Sequence, residues 1–317
     1  MGTVFIDRKD LTIKVDGNTI VFYSKGKNSG SIPIGPLKRV IIVGNVMIDT
    51  SVIYKLIKNQ ISIAFLTGKL KYSGIIYGPM HNNGFLRVKQ YEKSLTSFAV
   101  DMAKNIVMDK ISSQINFLEE IKNSKLVMLI QVNQALQSLS AKLKLLSEQT
   151  LPIESLRGVE GSASAMYFSV YSNLYPQSFN FTKRTKRPPT DSVNAMLSLC
   201  YTLVHFEIVR EIQLIGLDPT IGFYHQFEYG RESLACDIVE SFRVDVDRFV
   251  YRLFKEKHFT LRDFMKDLTQ GGVYLKKSGR KIFYPIYEEW AQNERTKWRE
   301  KVRAVAKTIY EENTLSY

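Results

Sequence analysis

Gly78-Pro79-Met80-His81-Asn82-Asn83-Gly84 divides the sequence into two parts of different period. Glycine, proline and asparagine cluster here, where neither a strand nor a helix continues easily, so residues 79–84 read as a linker. On its N-terminal side, short β-branched runs recur at residues 11–15, 19–23, 40–43, 61–65 and 74–77. Asp16-Gly17-Asn18 and residues 26–30 supply turns between them. Residues 50–59 break the pattern: Thr50 can cap a helix, and Val52, Ile53, Leu56 and Ile57 have helical spacing, which predicts one short helix. On the C-terminal side the pattern is helical. Residues 85–112 and 115–147 read as long amphipathic helices, with further helices expected at 158–174, 191–215, 231–255, 261–268 and 285–313. A hairpin is expected at 273–284, turning at Lys277-Ser278-Gly279-Arg280. The expected fold class is α+β: a small N-terminal β domain over residues 1–78, then a larger all-α domain over residues 85–317.

The 317 residues carry a net charge of +13, and 44% hydrophobic against 24% charged residues is a globular balance. Residues 1–78 hold eleven Lys/Arg, four Asp and no Glu, more than half of that charge. A chain this basic repels itself, and a polyanion relieves the repulsion; nucleic acid is the first candidate through counterion release. No basic amphipathic helix with a Trp/Leu face stands out, so a membrane partner is not expected. Cys200 and Cys236 lack zinc spacing and sit in apolar helical surroundings, which reads as a reducing compartment. With no signal-peptide pattern at the N-terminus, a cytoplasmic location is expected.

Of the four histidines, His81, His205 and His258 fit linker, helix and surface surroundings. His225 follows the tight apolar turn Gly216-Leu217-Asp218-Pro219-Thr220-Ile221-Gly222-Phe223-Tyr224, so it is held rather than solvated. Soon after, Ser233, Asp237 and Glu240 fall on one helical face beside the apolar stripe Leu234, Ile238 and Phe242. Carboxylates there need a cation or hydrogen bonds, and two readings are open: ion pairs with Arg231 or Arg243, or a metal site. A third acidic residue, Glu160, lies in Gly158-Val159-Glu160-Gly161-Ser162-Ala163-Ser164-Ala165. It is expected at the start of a helix whose small residues let a backbone or a phosphate come close.

These motifs occur in a fixed order: the Glu160 segment, then Arg187-Pro188-Pro189 with Asp191 and Asn194, then Gly216-Leu217-Asp218-Pro219 leading to His225, then residues 231–243. With Leu86-Arg87-Val88-Lys89-Gln90-Tyr91 and the N-terminal β region, the set resembles the CRISPR-associated integrase family, the first Cas protein, over nearly the whole chain. The resemblance implies metal ligands at Glu160, His225 and Glu240, with Asp237 as a neighbour or alternate. It implies insertion of new spacers into a CRISPR array, a homodimer formed through the β domain, and a second Cas adaptation protein bridging two dimers. The implied DNA partners are double-stranded: a spacer precursor and the CRISPR repeat.

Two carboxylates and an imidazole suit Mg²⁺ or Mn²⁺, which can polarise a phosphate and favour an oxygen nucleophile. Thr182-Lys183-Arg184-Thr185-Lys186-Arg187-Pro188-Pro189 places four basic residues in five positions. Between two metal-site segments, Lys183, Arg184, Lys186 and Arg187 read as a phosphate clamp. Arg231 is expected to join them, and Tyr167, Asn194 and Ser233 to position substrate or ligands. The alternatives are a structure-selective nuclease or transposon-borne integrase of the same fold, and a non-catalytic DNA-binding scaffold.

Overall fold

β1 (Thr3–Ile6), β5 (Arg39–Val43), β7 (Ser62–Leu66) and β8 (Tyr72–Ile76) form a sheet in the order β1-β5-β7-β8. β2 (Leu11–Asp16), β3 (Thr19–Ser24), β4 (Lys27–Pro33) and β6 (Met47–Ile48) form a second, in the order β4-β3-β2-β6. The first sheet is parallel apart from the β7–β8 pair, and the second is an antiparallel meander with β6 added parallel to β2. Helix α1 (Thr50–Lys58) is capped by Asp49, whose side chain accepts from Ser51 N at 2.9 Å. Its Val52 and Leu56 enter one core with Val4 and Ile42 of the first sheet and Ile13 and Ile20 of the second.

The computed structural model describes residues 2–79, 81–124, 128–225, 229–267, 269 and 271–311. They divide into two units, Met1–Asn82 and Asn83–Tyr317. Three strands escape the sequence reading: β1, β6 and β4. The last is polar and largely exposed along its length, so it carries no alternation to detect.

The second unit contains α2 (Gly84–Ser94), α3 (Ser97–Ser124), α4 (Leu129–Glu148), α5 (Ile153–Ser172), α6 (Ser192–Ile215), α7 (Ser233–Glu240), α8 (Arg243–Lys255) and α9 (Lys277–Glu311). β9 (Phe264–Lys266) and β10 (Val273–Leu275) pair antiparallel between α8 and α9. Asp191 caps α6, accepting from Asn194 N at 2.8 Å, and Gly216 ends it with φ +97. α6 is long and apolar enough to cross a membrane, but 83% of its most apolar window is buried inside the protein. It is the core helix, packed by α7, α8, α9 and β10.

The structure corrects several boundaries. The expected helix at 261–268 is a short 3₁₀ turn at Leu261–Asp263 running into β9; residue 268 lies outside the described residues. The expected hairpin turn Lys277-Ser278-Gly279-Arg280 is the first turn of α9, which starts eight residues before Pro285. Gly279 is there for close packing, since a Cβ would lie 2.8 Å from Leu275 Cδ1. The end of the expected helix at 312–313 lies outside the described residues. The expected single helix over 231–255 breaks at Ser241 and Phe242 into α7 and α8. Arg243, the first residue of α8, pairs with Glu240, the last of α7.

Candidate metal centre

α5 starts at Ile153, five residues earlier than expected, and its buried stripe runs through Ile153, Leu156, Ala163, Tyr167 and Val170. Glu160 therefore stands in the body of the helix, not at its N-terminus, and the helix dipole does not account for it. Its side chain is 21% exposed, and Ser164 Oγ donates to its Oε1 at 2.8 Å. A Cβ added at Gly158 or Gly161 would meet nothing within 4 Å, so among the described residues these two positions on α5 face open space.

His225 and α7 are built as one piece. Asp237 is fully buried and accepts from the backbone N–H of Phe223 at 2.6 Å, Tyr224 at 3.0 Å and His225 at 2.9 Å. It also lies 2.8 Å from His225 Nδ1. A carboxylate here only accepts, so Nδ1 carries the proton and the Nε2 lone pair faces away from Asp237. The loop reaches α7 this closely because residue 222 is glycine: a Cβ would lie 2.8 Å from Asp237 Oδ2 and from the Ser233 carbonyl carbon. At the head of α7, Leu234 N donates to Pro219 O at 2.9 Å. On the far side of the loop, buried Gln90 donates to the carbonyls of Asp218 at 2.8 Å and Ile221 at 2.7 Å, and accepts from Asp218 N at 2.8 Å. Arg157 of α5 reaches the Tyr224 carbonyl at 3.4 Å.

Glu160 and Glu240 are brought together by Lys110 of α3, whose ammonium contacts Glu160 Oε1 and lies 2.7 Å from Glu240 Oε2. Arg243 Nε lies 2.7 Å from the other Glu240 oxygen. Burial alone would raise the Glu240 pKa, but Arg243 and Lys110 outweigh it and hold the carboxyl well below its usual range. Burial also opposes the charge of Arg243, and Glu240 outweighs it, raising that pKa. The phenol of Tyr224 is raised by burial and then by Glu160 and Glu240, which places the His225 loop beside both carboxylates. Among the described residues no three His, Cys, Asp or Glu side chains make a ready cation cluster; a lysine stands between the acidic groups instead.

The basic loop divides by function. Arg184 is turned inward: it donates to Asn194 Oδ1 at 2.9 Å and Ser198 Oγ at 3.0 Å and also contacts the Thr185 carbonyl. Its guanidinium lies over the Tyr201 ring, 5.3 Å from the centroid, so its assignment as a phosphate contact is corrected to a structural one. Asn194 is committed as well, binding Thr185 N at 2.9 Å and the Lys183 carbonyl at 2.9 Å. Lys183, Lys186 and Arg187 are exposed. The Lys186 ammonium pKa is lowered by desolvation and by Arg243, with Glu240 opposing. Arg231 is half-buried and helps lower the Cys236 thiol pKa, which burial opposes and His205 chiefly lowers.

The family model described as CRISPR associated protein Cas1 matches residues 4–289. The chain belongs to the Cas1 family. It is 62% identical over 315 residues to the CRISPR-associated endonuclease Cas1 1 of Thermodesulfovibrio yellowstonii, covering 99% of each chain. It is 30% identical to the CRISPR-associated endonuclease Cas1 3 of Thermus thermophilus, over 91% of this chain and 84% of that one. The structure of a Cas1 protein from Thermotoga maritima superposes with a TM-score of 0.85 at 25% identity, covering 100% of this chain and 99% of that one. A casposase bound to its integration product shares the fold, with a TM-score of 0.80 at 19% identity, covering 100% and 96% of the two chains. A chain of a Cas6-RT-Cas1–Cas2 complex does so with a TM-score of 0.83 at 22% identity, covering 99% of this chain and 35% of that one.

Sequence reading of this Cas1-family chain missed Lys110, Gln90's role and the inward Arg184. The signal for Lys110 was available: it interrupts the α3 stripe Ile106, Val107, Ile111, Phe117 and Leu118, all buried. Gly222→Ala is expected to destabilise the protein by about 1–3 kcal/mol through overpacking against α7. Gly161→Ala, into open space on a helix, is expected to be neutral or stabilising by up to about 1 kcal/mol. Urea unfolding of both variants checks the pair; equal stabilities would mean the loop does not need glycine at 222.

Proposed function

We propose that this Cas1-family enzyme joins DNA strands in CRISPR adaptation, by attack of a DNA 3′-hydroxyl on a phosphodiester of the repeat. The observation that carries the reading is the convergence of Glu160 and Glu240, from separate helices, on one positive charge beside a histidine oriented by a buried carboxylate. The Cas1 family's nuclease chemistry implies a divalent metal, and the donor set fits one: two carboxylates already share a cation, and the His225 Nε2 lone pair is available on the neighbouring loop. Glu160, His225 and Glu240 would hold it, and oxygen donors with one imidazole suit Mg²⁺ or Mn²⁺. When bound, such an ion would polarise the scissile phosphate as a Lewis acid and favour an oxygen nucleophile.

The chain's own residues do the rest. Asp237 is spent on four contacts to residues 223–225, so its role is to orient His225 rather than to serve as the alternate ligand. The open space at Gly158 and Gly161 of α5 leaves room for a phosphate beside Glu160. Lys183, Lys186 and Arg187 neutralise DNA phosphates at its edge. One P–O bond forms as another breaks, the displaced 3′-oxygen takes a proton, and no nucleotide hydrolysis is required. The same site with water as nucleophile is an endonuclease. The shared fold with a casposase bound to its integration product and with a chain of a Cas1–Cas2 assembly supports strand transfer as the activity and a second Cas protein as partner; a homodimer bridged by that partner belongs to the same proposal. The high identity to a CRISPR-associated relative favours this reading over a transposon-borne role. A cytoplasmic location, where both DNA partners reside, goes with it.

Glu160→Gln, His225→Ala and Glu240→Gln are each expected to lower strand transfer on branched DNA at least about a hundredfold, more than 2.7 kcal/mol of barrier. Near-parental joining by any one variant removes that residue from the ligand set. Alanine at Lys183, Lys186 and Arg187 together is expected to weaken binding to unrelated duplexes alike and to flatten the salt dependence by about 0.9 per lost contact. An unchanged slope would move the DNA path to the basic N-terminal unit. That unit exposes sheet edges at β4 and β8 that another copy can cover. Sedimentation is expected to show that residues 83–317 lose the dimer, and equal dimerisation of that fragment would place the contact elsewhere.

A further inference from the structure

Lys110 is 7% exposed and projects from α3, where it and Gln114, one turn later, are the buried polar groups among the apolar residues Ile106, Val107, Ile111, Phe117 and Leu118. Its neighbour Asp109 is already paired with Lys301 at 2.6 Å on the exposed side of the helix. The charges facing Lys110 are Glu160 from α5 and Glu240 from α7, with Arg243 on the far oxygen of Glu240 and Lys186 in the same field. Two carboxylates from separate helices repel each other, and their burial is tolerable only around a positive charge. In this arrangement the ammonium supplies it.

We propose that Lys110 is a resident counter-ion that holds Glu160 and Glu240 at the spacing of a cation site in the metal-free protein and yields that position to the divalent ion. The inference rests on the reading that both glutamates are metal ligands. A divalent ion ligated by these oxygens at roughly 2.0–2.2 Å leaves no room for an ammonium between them, and two like charges at that separation repel strongly. Metal binding is therefore an exchange, and the apparent affinity for the metal is the intrinsic affinity reduced by the competition from Lys110. Lys110 acts through the two ligands and is a positioning residue. It also protects the metal-free fold, because the carboxylates would otherwise be left facing each other.

The test uses the full chain stripped of metal and titrated with Mn²⁺ alone, free Mn²⁺ being read by its electron paramagnetic resonance signal. Lys110→Gln, which removes the charge but keeps donors for both carboxylates, is expected to bind Mn²⁺ at least about tenfold more tightly, 1.4 kcal/mol. Metal-free, it is expected to melt below the parent, and saturating Mn²⁺ is expected to raise its melting temperature by more than it raises the parent's. Lys110→Arg keeps the charge and is expected to bind Mn²⁺ no more tightly than the parent. Equal or weaker binding by Lys110→Gln, or tighter binding by Lys110→Arg, overturns the proposal. Glu160→Gln tells this failure apart from failure of the metal reading. If it binds Mn²⁺ as the parent does, Glu160 is no ligand, and the counter-ion role falls with the metal site.

Discussion

The buried carboxylate of Asp237 takes three backbone N–H groups of the loop at residues 223–225 and the ring of His225 on its two oxygens. Neither partner is stable without the other. An isolated buried carboxylate would be severely desolvated, and three loop N–H groups facing protein would be left without acceptors. Their mutual satisfaction fixes the loop to α7, and much else follows from that attachment. Gly222 must be a glycine to let the loop in, Pro219 supplies the acceptor for the Leu234 N–H in the first turn of α7, and Gln90 closes the loop's other side. His225 is thereby held against α7, whose Glu240 lies one turn beyond Asp237.

Around that anchor the site is balanced by opposite charges from different helices. Glu160 and Glu240 stand against Lys110 and Arg243. Behind Arg243, the Tyr201 ring lies under two guanidiniums, Arg243 at 4.9 Å and Arg184 at 5.3 Å from its centroid. The Tyr201 hydroxyl donates to Asp247, whose carboxyl is pushed up to about 6 by burial, with the Tyr201 hydrogen bond opposing. The positive groups thus sit on the side of the basic loop, backed by aromatic rings and a carboxyl of weakened acidity. Positive groups on that side favour the approach of a phosphate toward the carboxylates.

Local signals were legible where a single side chain decides the outcome. α6 opens after Asp191 and ends at Gly216, and the turn before His225 is held as the sequence suggests, whereas the cap of α1 is Asp49, one residue before the Thr50 that the sequence pointed to. The shared face of Ser233, Asp237 and Glu240 follows from helical spacing and is buried as a unit. Two readings of Asp237 and Glu240, an arginine pair or a metal site, were open from spacing alone. The structure shows that the two acids part company: Asp237 binds the loop, and Glu240 pairs with Arg243 and Lys110. Glycines misled at Glu160 and Gly279, because a glycine inside a helix and one at its boundary look alike in sequence.

By itself the sequence determined the division into a β unit and a helical unit, the basic charge, and which acids and histidine stand on constrained segments. Periodicity, capping and turn chemistry act within a few residues, so they are written locally. Only the tertiary structure decided which of those groups meet. Glu160, Glu240 and Lys110 are 50 to 130 residues apart, and their convergence depends on how α3, α5 and α7 pack. The same holds for Arg184: in sequence it is one of four equivalent basic residues, and only the packing of Tyr201 and Asn194 against it turns it inward. Burial and charge pairing across helices are properties of the packed fold, and no local spacing encodes them.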